Sequence, residues 1–226
     1  MDPLTRQVLS TTGGATKTYV DDVFSTYAYK GNSSTQSITT NVDMTKGGMV
    51  WMKARTTTDR HNIFDTLRGV GRPIFTNETL GQNNFDSTAV TSFNNNGWSM
   101  GADGMINATN QDYGSWTFRK EKGFFDVVTY TGDGNAGRQI AHSLGSIPGC
   151  IMVKRYDASD SWMVYHRGLG SNTSTTTNAG HYALKLNSTD GKVDDINNWN
   201  DTAPTATAFT LGVGGQVNSN GGEYVA

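Results

Sequence analysis

The chain has 226 residues, 18 basic and 20 acidic, for a formal net charge of −2. Glycine, asparagine, serine and threonine together supply 95 residues, against nine leucines and three glutamates; this excludes a coiled coil or helical bundle, because Leu and Glu favour helix whereas Asn, Asp and Gly favour turns. The basic residues are scattered, with no run longer than Arg119-Lys120, so neither nucleic acid nor an anionic membrane is expected as a partner.

The stretch 1–28 has its own character: a Thr/Gly-rich segment, Ser10 to Thr18, leads into Tyr19-Val20-Asp21-Asp22-Val23-Phe24. It reads as an N-terminal docking arm, with Tyr19, Val23 and Phe24 as its anchoring side chains. Short apolar runs then predict strands at 48–54, 61–66 and 113–119, and at 125–131, 149–155, 161–166, 181–187 and 207–213. Between them lie turn clusters such as Asn94-Asn95-Asn96-Gly97, Thr131-Gly132-Asp133-Gly134 and Asn218-Ser219-Asn220-Gly221-Gly222, whose Asn-Gly and Asp-Gly steps suit positive φ. Many short strands at this spacing predict an all-β fold, a β-sandwich or jelly-roll. No apolar run reaches the length of a membrane span, and MDPLTRQVLS has no secretory apolar region, so synthesis in a cytoplasm is expected. The single cysteine, Cys150, precedes Ile151-Met152-Val153 and reads as a small buried hydrophobe.

Sliding the second half over the first exposes a repeat. At an offset of 101, Tyr29-Lys-Gly31-Asn32 falls on Tyr130-Thr-Gly132-Asp133, Val50-Trp51-Met52-Lys53 on Ile151-Met152-Val153-Lys154, Ile63-Phe64 on Val164-Tyr165, and Gly69 on Gly170. After an insertion of about 15 residues, Thr91-Ser-Phe93 matches Thr207-Ala-Phe209 and Gly114-Ser-Trp116 matches Gly222-Glu-Tyr224. Two diverged copies are therefore expected, 29–121 and 122–226. The second stops at Tyr224-Val225-Ala226, inside the strand that matches the one around Trp116, so further chain or another subunit is expected to complete it.

Few residues point to chemistry. Gly132-Asp-Gly134-Asn-Ala-Gly137 fits a dinucleotide-loop pattern, but the following Arg138-Gln-Ile-Ala-His142, Gly145 and Pro148 give no helix to hold a pyrophosphate; a hairpin turn is expected. The four histidines are dispersed, Asp157/Asp160 and Asp190/Asp194/Asp195 lack the spacing of a calcium loop, and none of the three glutamates pairs locally with an aspartate. No metal, cofactor or catalytic activity is expected. The remaining clue is aromatic: Trp199, inside Ile196-Asn197-Asn198-Trp199-Asn200-Asp201, and Trp98, after three asparagines, have the Asn-rich loop settings in which indole rings stack on sugars. Trp199, Trp98 and Asn198 are the candidate glycan-binding residues, whereas Trp51, Trp116 and Trp162 lie in strand-like runs and read as core.

With the repeats in view, FDVVTYTGDGNAGRQIAHSLGSIPGCIMVKRYDASDSWMVYHRGLG (125–170) and GGMVWMKARTTTDRHNIFDTLRG (47–69) resemble the tandem β-domains of tailed-bacteriophage tail fibres and related appendages. The resemblance covers nearly all of 19–226 and implies a concanavalin A-like sandwich. It also implies a structural virion protein, the virion-attaching part of a tail fibre serving host attachment, commonly a homotrimer, with tail or capsid proteins as neighbours and a host surface glycan as a further partner. A lectin-like module and a capsid decoration protein are the alternatives.

Overall fold

A computed structural model describes residues 18–82, 84–170 and 176–226. In chain order its elements are α1 (Val20–Val23), β1 (Phe24–Lys30), β2 (Gln36–Thr39), β3 (Gly48–Ala54), β4 (Asn62–Asp65), β5 (Ile74–Phe75), β6 (Val90–Asn94), β7 (Gly97–Met100), α2 (Gly104–Asn107), β8 (Asp112–Arg119), β9 (Thr129–Thr131), β10 (Arg138–Ala141), β11 (Cys150–Arg155), β12 (Met163–His166), β13 (Tyr182–Lys185), β14 (Val193–Asp194), α3 (Ile196–Trp199), β15 (Ala208–Leu211), α4 (Gly215–Asn218) and β16 (Glu223–Val225). The fold is all-β, built from antiparallel sheets with a few single helical turns. It forms two compact units, one from residues up to 73 with 83–127, the other from 74–82 with 128–226. The repeat boundary expected at 121/122 thus falls after 127, and a nine-residue piece of the first copy's sequence folds with the second unit.

The first unit pairs strands in the order β1-β8-β3-β4, with a second sheet β2-β7-β6. Its core collects Tyr29, Val50, Met52, Phe64, Trp98, Met100, Ile106 and Tyr113. In the second unit the order is β9-β16-β11-β12-β13-β14, with β10-β15 as the second sheet, around Tyr130, Ile151, Val153, Tyr165, Trp199, Phe209, Val217 and Tyr224. The order β1-β8-β3-β4 is that of β9-β16-β11-β12, and the offset of 101 holds through the ladders: Val50 pairs with Phe64 as Ile151 pairs with Tyr165. The later matches shift. Tyr29 faces Tyr113 and Tyr130 faces Tyr224, and Ile38 faces Trp98 as Ile140 faces Phe209. Tyr224 therefore corresponds to Tyr113 rather than Trp116, and Phe209 to Trp98 rather than Phe93.

Alternation explains the first correction. Side chains on a strand point to opposite faces in turn. On β8 Tyr113, Ser115 and Thr117 are buried, while Trp116 is exposed and Phe118 half-buried. Trp116, expected in the core, thus stands on the outer face at 38% exposure.

The N-terminal arm is corrected as well. Residues 1–17 lie outside the described residues, but 20–30 form α1 and β1, and β1 pairs along its whole length with β8. Val23 is fully buried. Phe24 sets its ring 4.9 Å from Phe118 and 6.4 Å from Phe124. Tyr19 caps α1, its N–H donating to Asp22 Oδ2 at 2.8 Å. Apolar side chains beside a strand-forming run are most stable inside the sandwich they extend, so these three residues belong to the first unit's fold rather than to a free arm.

Candidate functional site

The most elaborate polar arrangement occurs twice. The Asn107 side chain is fully buried, its amide nitrogen near Ser34 O and Gly101 O at 2.6 Å each and Asn32 Oδ1 at 3.2 Å, while its oxygen accepts from Asn32 N at 3.0 Å. In the second unit the Asn218 nitrogen approaches Asn135 O, Gly212 O and Asp133 Oδ1 at 2.9, 3.1 and 3.2 Å, and its oxygen accepts from Asp133 N at 3.0 Å. Beside each asparagine a tyrosine hydroxyl donates to the residue before it, Tyr29 to Ile106 O and Tyr130 to Val217 O, both at 2.8 Å. A second tyrosine stacks on the first, Tyr113 at 5.0 Å and Tyr224 at 5.1 Å between ring centroids, and its hydroxyl accepts from Ala108 N or Ser219 N. The chain passes so close here that a Cβ on Gly31 or Gly132 would lie 2.1 Å from Ala108 O or Ser219 O, which only glycine permits. Burial raises the pKa of all four tyrosines. The groups of this clasp hydrogen-bond to one another and to nearby backbone within their own unit, so its chemistry is structural.

The expected glycan residues lie in the two cores. Trp98 is 0% exposed, edge-on to Tyr29 at 5.9 Å. Trp199 is 1% exposed, edge-on to Tyr165 at 6.1 Å, and Asn198 is 2% exposed. A buried indole offers no face to a sugar ring, so this assignment is overturned. Both residues occupy short elements in which a single indole fills a large volume between sheets. The accessible indoles are on the first unit's outer sheet face, where Trp116 stands edge-on to the half-buried Trp51 at 6.0 Å and His61 lies 6.5 Å from Trp51.

Two carboxyls of the first unit meet beside a groove of about 490 Å³ lined by Pro73, Asn84, Phe85, Asp86, Ser87 and Met105. Asp86 accepts from Thr88 N and Oγ1, each at 2.7 Å, which holds its pKa below the usual carboxylate range. Asp103 caps α2 through Met105 N and Ile106 N. Burial pushes its pKa up, and the neighbouring Asp86 carboxyl adds to the rise. Each closes a turn of the backbone, and the second unit has Gly214 in the capping position of Asp103.

Cys150, expected to be buried, is exposed at the start of β11. Its surroundings still desolvate the thiol enough to raise its pKa, the opposite of what a thiolate nucleophile needs. The glycines at 132, 134 and 137 form a turn into β10, with positive φ at Gly134 and Gly137. The acidic groups separate. Asp157 and Asp160 flank Arg155 at 2.8 and 3.7 Å, Asp190 faces Lys185 at 3.4 Å, and Asp195 caps α3. Asp194 instead approaches His181 and Asp201, a juxtaposition of residues 13 and seven positions apart that no local spacing announces.

Both sandwiches fall within a single family match, which covers residues 20–226. The chain belongs to the family described as a domain of unknown function, DUF7483. No curated protein and no solved structure matches it. The DUF7483 match opens at the first residue of α1, in keeping with α1 and β1 being part of the fold.

Proposed function

We propose that this DUF7483 chain is a structural component of a bacteriophage virion, the attaching part of a tail fibre or similar appendage, assembled as a homotrimer and serving host attachment. The observation that carries the reading is what the two units have in common: strand order, tyrosine stack and asparagine clasp recur register for register, and all of these hold the fold. The polar groups with reactive potential occur in one unit each. A scaffold whose repeated polar residues bind its own backbone is suited to bearing load and carrying sites, and function resides in what is grafted onto it. The resemblance of 47–69 and 125–170 to tail-fibre domains supports the same reading, which treats the chain as non-enzymatic and its neighbours as tail or capsid proteins.

A lectin-like role gains support from one observation, the Trp116–Trp51 platform on the outer sheet face, since exposed indole edges and faces suit sugar rings. The deciding experiment is antibody labelling of purified particles from infected cells, viewed by electron microscopy. Label on the tail is expected; label over the capsid makes the chain a decoration protein instead. Unlabelled particles beside abundant protein in the lysate refute a virion role and bring the lectin reading forward.

A further inference from the structure

His181, Asp194 and Asp201 come from three separate places in the second unit. His181 immediately precedes β13, Asp194 ends β14, and Asp201 follows the turn that closes α3. The ladder explains two of them: Tyr182 pairs with Asp194, and Asp195 N donates to His181 O at 3.0 Å, which sets the segments side by side. One ligand atom from each of the three residues lies within 4.8 Å of the others.

The distances favour an ion over a hydrogen bond. His181 Nδ1 stands 3.6 Å from Asp201 Oδ1, the two side chains being 38% and 33% exposed, and that one oxygen atom is itself covered and has no hydrogen-bond partner. A buried carboxylate oxygen facing an imidazole nitrogen normally draws it to about 2.8 Å; left unpaired it is costly. Two ligands of one tetrahedral ion, each about 2.1 Å from it, stand roughly 3.4 Å apart. The observed gap matches a ligand-to-ligand spacing, and a metal ion between the two groups would satisfy the orphaned oxygen. Neighbouring charges leave the position free: Lys192 Nζ donates to Leu169 O at 2.8 Å and lies 3.9 Å from the Tyr182 ring centroid, while Asp195 accepts from Asn197 and Asn198.

We infer that His181, Asp194 and Asp201 bind a divalent transition-metal ion of the Zn²⁺ class. An imidazole in the set selects against Ca²⁺ and Mg²⁺, which take oxygen ligands. The two carboxylates neutralise the ion's charge, and three protein ligands leave a coordination position for water or an incoming oxygen donor. Bound there, the ion ties β14, whose two residues are both exposed, to the start of β13 and to the turn after α3. The site lies in the stretch between Gly170 and Phe209, where the second copy is longer than its counterpart between Gly69 and Trp98. This inference does not rest on the virion reading.

The test uses the full chain stripped with EDTA and titrated with Zn²⁺ and, in parallel, with Co²⁺ to read its visible absorption. One equivalent of Zn²⁺ with a rise of several degrees in melting temperature, and Co²⁺ bands typical of mixed nitrogen and oxygen ligands, are expected. His181→Gln, which keeps a polar side chain of similar size, and Asp201→Asn, which keeps side-chain shape, are each expected to weaken Zn²⁺ binding at least tenfold and remove the bands, with the metal-free melting temperature within a few degrees of the parent. Asp190→Asn, outside the cluster, is expected to bind as the parent does. Absence of saturable binding by the folded parent at millimolar Zn²⁺ overturns the site. So does binding that survives both cluster substitutions, which would be adventitious. A variant that fails to fold is replaced by Asp194→Asn, at an exposed position, on which the same criterion is read.

Discussion

Asn107→Asp changes one amide nitrogen to oxygen and alters almost no volume, so its cost isolates the clasp. The nitrogen donates two protons among Ser34 O, Gly101 O and Asn32 Oδ1, in a place with no solvent exposure. A carboxylate there accepts only. Two hydrogen bonds are lost, at about 1 kcal/mol each, and two backbone carbonyls are left unsatisfied at roughly 1–3 kcal/mol each; partial relaxation brings the sum to about 3–5 kcal/mol. For a chain of this size that corresponds to a fall of roughly 6–20 °C in melting temperature. The sign of the pH dependence follows. The new carboxyl's pKa is raised in the folded state, so the destabilisation is complete at neutral pH and shrinks as pH falls toward its unfolded value of about 3.9, where a protonated carboxyl again donates one bond. Asn218→Asp repeats the perturbation in the second unit and should destabilise by a similar amount. Chemical denaturation followed by circular dichroism at pH 7 and pH 4.5 is the assay. A loss below about 0.5 kcal/mol at pH 7 for either variant would refute the claim that the clasp holds its unit together.

Three further predictions rest on which side chains are buried and which are exposed. Lys154 is fully buried, its ammonium donating to Asp160 O at 2.6 Å and Thr79 O at 2.8 Å, and burial lowers its pKa to about 8. The unfolded chain therefore holds this proton to higher pH than the folded one, so stability should rise between pH 8 and 9.5; in Lys154→Met that rise should vanish, as urea melts at both values will show. Acrylamide should quench Trp116 fluorescence while leaving Trp98 and Trp199 protected, read from single-tryptophan-to-phenylalanine variants. Trp199→Ala should cost about 3–5 kcal/mol irrespective of added sugar, and unchanged stability in that variant would contradict its place in the core.

The amino-acid sequence by itself determined the class of fold and most of the repeat. Scarce Leu and Glu with abundant turn formers left β-structure as the way to build a core, and strands such as 48–54 announced themselves through apolar and β-branched runs. The offset of 101 was legible because Tyr29 and Tyr130, Val50 and Ile151, and Phe64 and Tyr165 fill matching positions in two cores. Tertiary structure decided what depends on facing. Trp116 lies three residues from Tyr113, hence on the opposite side of β8, so an indole in a strand-like run is the accessible one. Trp98 and Trp199, in polar local settings, close the cores because packing across the sandwich outweighs the character of immediate neighbours. Segment 74–82 could not be assigned from local pattern either: its membership of the second unit rests on long-range bonds such as Lys154 to Thr79 and Trp162 Nε1 to Phe75 O. The approach of His181 to Asp194 and Asp201 is of the same kind, since strand pairing and the turn after α3 bring the three together while their spacing along the chain carries no period.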